Sequence, residues 1–258
     1  MDKNLLEIKN LKLIYHSPKG ENEALKDINF NVKKGEFIAI VGPSGCGKTT
    51  ILSLVAGIIK ASGGEILLDG KKVDGINKNV GYMFQKDQLF EWLTIWKNVC
   101  LGLDITKTNT IENQNRVKQL IKKYGLDDFV QNKPRQLSGG MRQRVALIRT
   151  LALNPKLLLL DEPFSALDYQ TRLLVGEDVW NIIKQEKQTA ILVTHDISEA
   201  ISLSDKVIIL SSRPSVVKRV VEIPFKSESS LKRRENKEFS TVFDEVWKEL
   251  ITDEKIKK

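Results

Sequence analysis

The sequence predicts an α/β fold with a core sheet of mainly parallel strands, an N-terminal antiparallel β subdomain and an inserted helical subdomain. Three observations predict these parts: N-terminal stretches that alternate apolar and polar residues, four short uninterrupted apolar runs, and a long polar stretch without strand-like runs. Alternation is typical of strands with one face in water, whereas uninterrupted apolar runs are typical of strands buried on both faces of a parallel sheet.

Short segments support the two sheets. The antiparallel sheet is predicted by "LLEIKNLKLIYH" and "ALKDINFNV", with a further strand and turn in "GGEILLDGKKV". The parallel core is predicted by "FIAIV", "KLLLLD", "TAILVT" and "KVIIL", which helical stretches separate as they do in α/β proteins. A chain of 258 residues with 41% hydrophobic content is long enough to bury such a core.

Two helical regions complete the predicted organisation. Residues 89–136 are polar and helical, and we place the inserted subdomain at about 89–153, within a main domain of residues 1–225. Residues 226–258 are expected to form a C-terminal helical extension, because the composition changes to "KSESSLKRRENKE" before a last helix. That helix carries one apolar stripe at helical spacing, and such a stripe most often packs on its own domain. The stripe consists of Phe239, Val242, Phe243, Val246, Trp247 and Leu250.

Charge and cysteine content limit the classes of protein. The net charge of +8 suits an acidic partner such as a nucleotide, a nucleic acid or an anionic membrane, and equally suits a solvated basic surface. Two cysteines are too few for a disulfide framework. No apolar run approaches the length of a spanning helix, and the N-terminus has no signal-peptide core. We therefore expect a soluble, cytosolic chain that reaches a membrane only through partners.

A phosphate-binding loop follows the first core strand. The segment "GPSGCGKT" at residues 42–49 satisfies G-x-x-x-x-G-K-[ST], follows "FIAIV" and precedes the helical run "TILSLVAGII". Its glycines let backbone N–H groups point at phosphate oxygens, Lys48 is expected to reach the β- and γ-phosphates, and the Thr49 hydroxyl is expected to ligate Mg²⁺. A helix start there could lower the pKa of Cys46, although an incidental side chain is the simpler interpretation. The predicted phosphate-site residues are Gly42, Pro43, Ser44, Gly45, Cys46, Gly47, Lys48, Thr49 and Thr50.

Carboxylates and a histidine follow two later core runs. In "KLLLLDEPFSALD", Asp161 lies at the strand tip, where it can hold Mg²⁺ directly or through water. Glu162 lies next to it as a base for the attacking water. His195 ends the run "AILVTHD" and should reach the same sheet edge, where ligands bind in open α/β folds. We interpret it as a phosphate contact, the alternative being a structural histidine.

A second possible anion site lies in "LSGGMRQRVALIRT". Here Ser138 and the backbone N–H groups of Gly139 and Gly140 stand at the start of a predicted helix. One small chain thus carries two phosphate-binding turns.

Six motifs together resemble the nucleotide-binding subunit of ABC transporters over residues 5–225. They are "GPSGCGKTT", Gln85 in "GYMFQKDQLF", "LSGGMRQR", "LLLLDEP", "SALD" at residues 165–168 and "THD" around His195. The resemblance implies a P-loop NTPase core that uses ATP and Mg²⁺. It also implies a head-to-tail homodimer that holds each ATP between one subunit's phosphate loop and the other's "LSGG" turn.

The resemblance also implies roles for single residues. Tyr15 would stack on adenine, and Gln85 would contact Mg²⁺ and water and sense the membrane partner. Asp168 would belong to a loop that crosses the dimer interface, and His195 would hold the γ-phosphate. Met141 departs from the glutamine that the family motif most often has, but the donors at residues 138–140 are unchanged.

Within the family, three features resemble the importers of nitrate, alkanesulfonates or taurine, whose relatives also carry pyrimidine precursors of thiamine. They are Met141 in the signature motif, the segment "LFEWLTIWKNV" and the segment "LSSRPSVVKRVVEIPF". This branch implies two transmembrane permease subunits, an extracytoplasmic solute-binding protein and a peripheral position on the cytoplasmic face of the membrane. The segment "LFEWLTIWKNV" would receive the permease through Leu89, Phe90, Trp92 and Leu93. Trp92 could instead belong to the subdomain core, which is the expected place of Trp96.

Two other functions remain open at this point. An ABC-type ATPase acting on nucleic acid or ribosomes would suit the positive charge, but such proteins usually carry two motif sets or a long coiled-coil insertion. A soluble phosphoryl-transfer enzyme would use the phosphate loop but would not need "LSGG" or "SALD". We therefore expect no nucleic-acid partner.

Overall fold

One ten-stranded sheet joins the strands that the structure describes, over residues 3–18, 20–225 and 229–255. In this computed structural model the strand order across the sheet differs from the order along the chain. The strands are β1 (Asn4–Ser17), β2 (Gly20–Lys33), β3 (Phe37–Val41), β4 (Gly63–Leu68), β5 (Lys71–Lys72), β6 (Val80–Met83), β7 (Leu157–Asp161), β8 (Thr189–Val193), β9 (Lys206–Leu210) and β10 (Ser215–Glu222).

Helices cover both faces of this sheet. They are α1 (Lys48–Val55), α2 (Ile95–Ile105), α3 (Ile111–Lys123), α4 (Gly139–Ala152), α5 (Tyr169–Gln185), α6 (Ile197–Leu203), α7 (Ser230–Arg234) and α8 (Phe239–Lys255), with short 3₁₀ turns at Asp127–Phe129 and Pro134–Gln136.

The sheet has a parallel half and an antiparallel half. Its order is β5-β4-β1-β2-β10-β9-β3-β8-β7-β6. The neighbours from β9 to β6 are parallel, whereas β1 pairs antiparallel with β2 and β4. The strand β10 joins the halves, since it is antiparallel to β9 and parallel to β2. The predicted α/β fold class is thereby confirmed, but the sequence analysis missed β6 and β10.

Alternate side chains of the core strands pack on opposite faces of the sheet. In β7, Leu158 and Leu160 join the core under the helices α2–α6, while Leu157 and Leu159 join the core around α1 and the N-terminal strands. Full burial stabilises each such leucine by about 1.5–3 kcal/mol relative to exposure. Burial on both faces explains why the sequence of each of these strands is an uninterrupted apolar run.

The inserted helices begin at side-chain caps. The hydroxyl of Thr94 accepts a hydrogen bond from the Lys97 N–H at the start of α2, and that of Thr110 does the same for the Asn113 N–H at the start of α3. Trp96 packs against the main core, as expected. The predicted helical insertion is thus present between β6 and β7.

The last helix lays most of its apolar stripe on the main domain. Val242 and Val246 are buried, and the larger side chains on either side pack partly against the same core. Trp247 is the exception: it is 49% exposed and stacks on Phe243, with ring centroids 6.3 Å apart. The predicted start of the extension falls on residues 226–228, outside the described residues. Across the described residues, no helix has both the length and the apolar character needed to span a bilayer.

Candidate nucleotide-binding and hydrolysis site

The phosphate loop joins the end of β3 to the start of α1. Gly45 (φ +73°) and Gly47 (φ +110°) hold left-handed backbone conformations that favour glycine. A Cβ at Gly47 would also lie 2.9 Å from Leu25 Cδ2 on β2. No side chain among the described residues caps α1, so the backbone N–H groups at its start are open to an anion. The loop therefore has the backbone shape that phosphate binding requires.

Lys48 folds back over this loop. Its Nζ donates hydrogen bonds to the carbonyl oxygens of Gly42 (2.8 Å) and Pro43 (3.1 Å), and the residue is only 7% exposed. Charged phosphate oxygens are stronger acceptors for an ammonium than neutral carbonyls. The side chain is thus held where it can exchange these carbonyls for phosphate oxygens.

The thiol of Cys46 points away from the phosphate site and into the core. Cys46 is buried among apolar residues, and a Cβ at Gly42 would lie 2.8 Å from its Sγ. Burial raises the pKa of the Cys46 thiol and outweighs the nearby charge of Lys48, which lowers it. The idea that the helix start lowers this pKa is therefore wrong. Only the backbone of Cys46 is available to phosphate.

Thr49 and Asp161 form the candidate metal-binding pair. The Thr49 hydroxyl donates to Asp161 Oδ1 at 2.9 Å, and the Tyr82 hydroxyl donates to Asp161 Oδ2 at 3.1 Å. Burial raises the pKa of Asp161, while the bonds from Thr49 and Tyr82 lower it. Burial beside Asp161 in turn raises the pKa of Tyr82, which keeps its hydroxyl a donor. A cation bound to the Asp161 carboxylate would offset the electrostatic cost of burying its negative charge.

The Asp161 carboxylate and the Thr49 hydroxyl suit a Mg²⁺ ion that binds together with a nucleotide. No cluster of three or more His, Cys, Asp or Glu side chains that could hold a metal occurs in the described part of the chain. One carboxylate and one hydroxyl suit Mg²⁺, which usually keeps several waters and takes its other ligands from substrate phosphates. Gln85, the third predicted ligand, instead directs its amide nitrogen to Glu162 and Ser165.

Glu162 and His195 meet at the carboxyl edge of the sheet. Glu162 Oε2 lies 3.3 Å from His195 Nδ1 and 3.3 Å from Gln85 Nε2, so the carboxylate has an orienting group on two sides. The Glu162 backbone has φ +46°, and its N–H donates to the carbonyl of Val193 at the end of β8. The side chains of Glu162 and His195 stay accessible to water, at 24% and 60% exposure respectively. A carboxylate held in this way can accept a proton from water.

Ser165 holds the backbone of Glu162 and the side-chain amide of Gln85. Its Oγ donates to the Glu162 carbonyl at 3.0 Å and accepts from Gln85 Nε2 at 3.2 Å. The sequence analysis assigned no role to Ser165 or Tyr82. The signal for Tyr82 is the short apolar segment "VGYM", which ends two residues before Gln85 and forms β6, whose end lies at the same edge.

Tyr15 lies on the hairpin that borders the phosphate loop. It is 43% exposed and pairs with Asn22, while Leu13 pairs with Leu25, the residue whose side chain touches Gly47. Tyr15 therefore places an exposed ring on this hairpin, two residues along β1 from Leu13. Stacking of Tyr15 on adenine stays a prediction.

The turn at residues 137–140, which is the second predicted anion site, leads into α4. The Ser138 hydroxyl accepts from the Met141 N–H at 3.3 Å. The turn packs tightly against its surroundings, since a Cβ at Gly139 would lie 3.1 Å from Leu167 Cδ2 and one at Gly140 would lie 2.7 Å from Val175 Cγ2. Throughout the described ranges, no hydrogen bond or ion pair joins this turn to the phosphate loop. Ser138 and Gly139 are exposed at the surface of the chain.

The SALD loop, residues 165–168, ends in a helix cap. Asp168 Oδ1 accepts from the Thr171 N–H at 3.0 Å at the start of α5, and hydrogen bonds from the side chain and then the backbone of Thr171 lower the pKa of Asp168. Asp168 is exposed, as a residue at a dimer interface would be in the free subunit. Its crossing of that interface stays a prediction.

The segment after Gln85 exposes part of the predicted permease anchor. Phe90 and Trp92 lie on the surface with ring centroids 5.0 Å apart, and Trp92 is 70% exposed. The alternative that Trp92 belongs to the core is wrong. Leu89 is buried in the main core and cannot serve as an anchor, which corrects that part of the prediction. Leu93 is partly buried.

Comparison with known proteins places these features in context. A family model described as "ABC transporter" matches residues 25–165. The chain is 45% identical over 254 residues to the uncharacterized ABC transporter ATP-binding protein YtlC of Bacillus subtilis, and the match covers 98% of both chains.

Two further relatives carry names that state a solute. The taurine import ATP-binding protein TauB of Pelagibacter ubique is 42% identical, with 84% of this chain and 83% of the relative covered. The aliphatic sulfonates import ATP-binding protein SsuB of Bacillus thuringiensis is 41% identical, with 84% and 85% covered. Among solved structures, the dimeric post-hydrolysis state of the ATP-binding cassette MJ0796, bound to ADP and Pi, superposes with a TM-score of 0.72 at 32% identity. That match covers 86% of this chain and 100% of the other.

Proposed function

This chain belongs to the ABC transporter family, and on that premise we propose that it hydrolyses ATP to drive an importer of small sulfonates or anions. The observation that carries the proposal is the convergence of three groups at one edge of the sheet. These groups are the Lys48 loop, the Thr49–Asp161 pair and the Glu162–His195 pair. Phosphate binding, cation binding and a base for water are the parts that ATP hydrolysis needs.

Nucleotide binding uses the phosphate loop and the neighbouring hairpin. Lys48 releases the carbonyls of Gly42 and Pro43 and binds the β- and γ-phosphates instead. Tyr15 offers its exposed ring to adenine. Thr49 and Asp161 would hold Mg²⁺, and the bound cation would neutralise charge on the phosphates.

Hydrolysis uses the pair at the end of β7 and β8. Glu162 accepts a proton from the attacking water at its carboxylate, while Gln85 keeps that carboxylate oriented. With Nδ1 of His195 facing Glu162, Nε2 is the ring nitrogen that can donate to the γ-phosphate. Glu162 and His195 lie at a solvent-accessible edge of the sheet, so water can enter before the dimer closes.

A second copy of the chain completes each site. The turn at residues 137–140 caps its own helix yet makes no polar contact with the phosphate loop of the described chain. In a head-to-tail homodimer, Ser138 and the N–H groups of Gly139 and Gly140 would clamp the partner's nucleotide. The dimeric arrangement of the cassette MJ0796 supports this proposal.

The membrane partners would attach through the exposed aromatic pair. Phe90 and Trp92 form an apolar anchor of the kind that centres a protein interface. We propose that two transmembrane permease subunits bind here, that the chain lies on the cytoplasmic face of the membrane, and that an extracytoplasmic binding protein delivers the solute. Closure of the ATP-bound dimer would move the permeases, and hydrolysis would reset them.

The names of the relatives favour a sulfonate, and they leave the nucleic-acid alternative without support. Uptake of labelled taurine, an alkanesulfonate, nitrate and a pyrimidine precursor of thiamine tests the solute. The comparison is between cells that make the native chain and cells in which the chain carries Glu162→Gln. Loss of sulfonate uptake alone would support the proposal, whereas unchanged uptake of all four solutes would contradict it.

A further inference from the structure

Arg172 lies between the turn that carries His195 and the SALD loop. It belongs to the first turn of α5, directly after the cap at Asp168, and its side chain is 23% exposed. Its guanidinium approaches three acceptors that belong to two separate parts of the site. None of the roles described above uses this group.

On one side, the guanidinium faces the two acidic residues that follow His195. Nη1 lies 3.6 Å from Asp196 Oδ2, and Nε lies 3.7 Å from Glu199 Oε1. Glu199 is buried and accepts from the Thr194 hydroxyl at 2.7 Å, and Thr194 Oγ1 in turn accepts from the Asp196 N–H at 3.0 Å. The residues on both sides of His195 are therefore held by one polar network that includes Arg172.

On the other side, the guanidinium holds the SALD loop. Nη2 donates to the carbonyl of Leu167 at 3.1 Å. The side chain of Leu167 lies against Gly139, where a Cβ would come within 3.1 Å of Leu167 Cδ2. A continuous series of contacts therefore runs from the turn at residues 137–140 through Leu167 and Arg172 to the residues beside His195.

We propose that Arg172 is a positioning residue for ATP hydrolysis, which ties the His195 turn to the SALD loop so that dimer closure acts on His195. The inference rests on the proposed function, because it assumes that His195 contacts the nucleotide and that the SALD loop meets a second copy. It adds a route by which one subunit's interface loop sets the geometry of its own hydrolytic site.

The distances leave room for this network to tighten. Within the described residues, the buried Nε of Arg172 has no hydrogen-bond partner, and its separation from Glu199 is beyond hydrogen-bonding distance. If the start of α5 moves with the SALD loop, a shift of about 0.5 Å brings Nε and Nη1 of Arg172 within hydrogen-bonding distance of Glu199 and Asp196. Charge-assisted bonds of that kind are directional, so they would fix the His195 turn in one orientation.

The first test compares Arg172→Gln, Arg172→Lys and the control Lys184→Gln in the purified full-length chain. Lys184 lies on the same helix and pairs with Asp205 at 2.9 Å, away from the site. Because small displacements of a catalytic group are costly, we expect kcat for ATP hydrolysis to fall about tenfold in Arg172→Gln with an unchanged KM. Arg172→Lys, which keeps the charge, should recover part of the loss, and Lys184→Gln should match the native chain.

A double-mutant cycle with His195→Ala then decides whether Arg172 acts through His195. If it does, Arg172→Gln and Arg172→Lys should have little further effect on kcat in the His195→Ala background. The inference would be overturned if Arg172→Gln lowered kcat by the same factor in the native and His195→Ala backgrounds. It would also be overturned if Arg172→Gln raised KM and left kcat unchanged. If Arg172→Gln does not fold, as judged by thermal unfolding, Arg172→Lys decides by the same criteria. Native activity of His195→Ala itself would overturn the catalytic assignment on which the inference rests.

Discussion

Glu162 Oε2 and His195 Nδ1 face each other across 3.3 Å, although they come from the ends of two different strands. The pairing of β7 with β8 brings them together, since Asp161 lies opposite Val193 in the parallel register. Glu162 is the first residue after β7, and His195 follows the end of β8. The sheet therefore sets the separation between the proposed base and the proposed phosphate contact.

Replacing Glu162 by Gln should abolish hydrolysis but preserve ATP binding. The amide keeps the size of the side chain, yet it cannot accept the proton of the attacking water, so we expect kcat to fall by about 10²-fold or more. Phosphate release measures the rate, and size-exclusion chromatography with ATP should show a trapped dimer. Hydrolysis at the native rate would show that another group is the base.

Replacing Lys48 by Ala should remove nucleotide binding. The substitution deletes the ammonium that is proposed to bind the phosphates, so we expect the Kd for ATP to rise by at least about tenfold. Calorimetry of the purified chain measures this. The matched control is Lys60→Ala, which removes an exposed lysine beyond the end of α1. Equal affinity in the two variants would refute the role of Lys48.

Replacing Tyr82 by Phe should shift the pH dependence of hydrolysis. The Tyr82 hydroxyl donates to Asp161 and lowers the pKa of that carboxyl, so its loss raises the pKa. Because the proposed Mg²⁺ site requires Asp161 to be ionised, the acid limb of the rate profile should move to higher pH.

The control for this shift is Tyr124→Phe. Tyr124 donates its hydroxyl to Glu186 at 3.0 Å, so that variant loses a similar bond far from the site. Tyr82→Phe keeps an aromatic ring to stack on Phe84, and we expect its unfolding free energy to change by only about 1 kcal/mol. An acid limb that stays in place, or that moves equally in both variants, would count against Asp161 as a metal ligand.

Replacing Ser138 by Arg should weaken ATP-dependent dimer formation without removing ATP from the isolated subunit. The large cation would fill the space proposed for the partner's phosphate. It also deletes the cap of α4, which stabilises the helix by about 1 kcal/mol. Thr110→Arg deletes the equivalent cap of α3 and serves as the control. Analytical ultracentrifugation in the Glu162→Gln background should show a monomer only for Ser138→Arg.

The parallel core could be predicted because burial on both faces leaves a direct mark on the sequence. Strand β7 is apolar from Leu157 to Leu160, so Asp161 at its end and Glu162 directly after it must lie at the sheet edge. The phosphate loop could be predicted for a similar reason, since its backbone shape requires glycine at positions 45 and 47.

The rest depends on pairings between distant segments. Tyr82 reaches Asp161 only because β6 pairs with β7, and neither strand encodes that pairing by itself. Leu89 and Trp92 lie in one apolar stretch, yet the helical insertion buries the first and leaves the second on the surface. Arg172 is one of many arginines in the sequence, and only the fold brings it between Leu167 and the His195 turn.

The most direct test of the central claim is a pull-down of tagged Glu162→Gln protein, with ATP, from gently solubilised native membranes. Trp92→Ala in the same background is the matched control, because Trp92 is exposed and its loss should leave folding and ATP binding intact. We expect a multispanning permease to copurify with Glu162→Gln and to be lost with Trp92→Ala. Recovery of ribosomes, of nucleic acid or of the ATPase dimer alone would contradict the importer function.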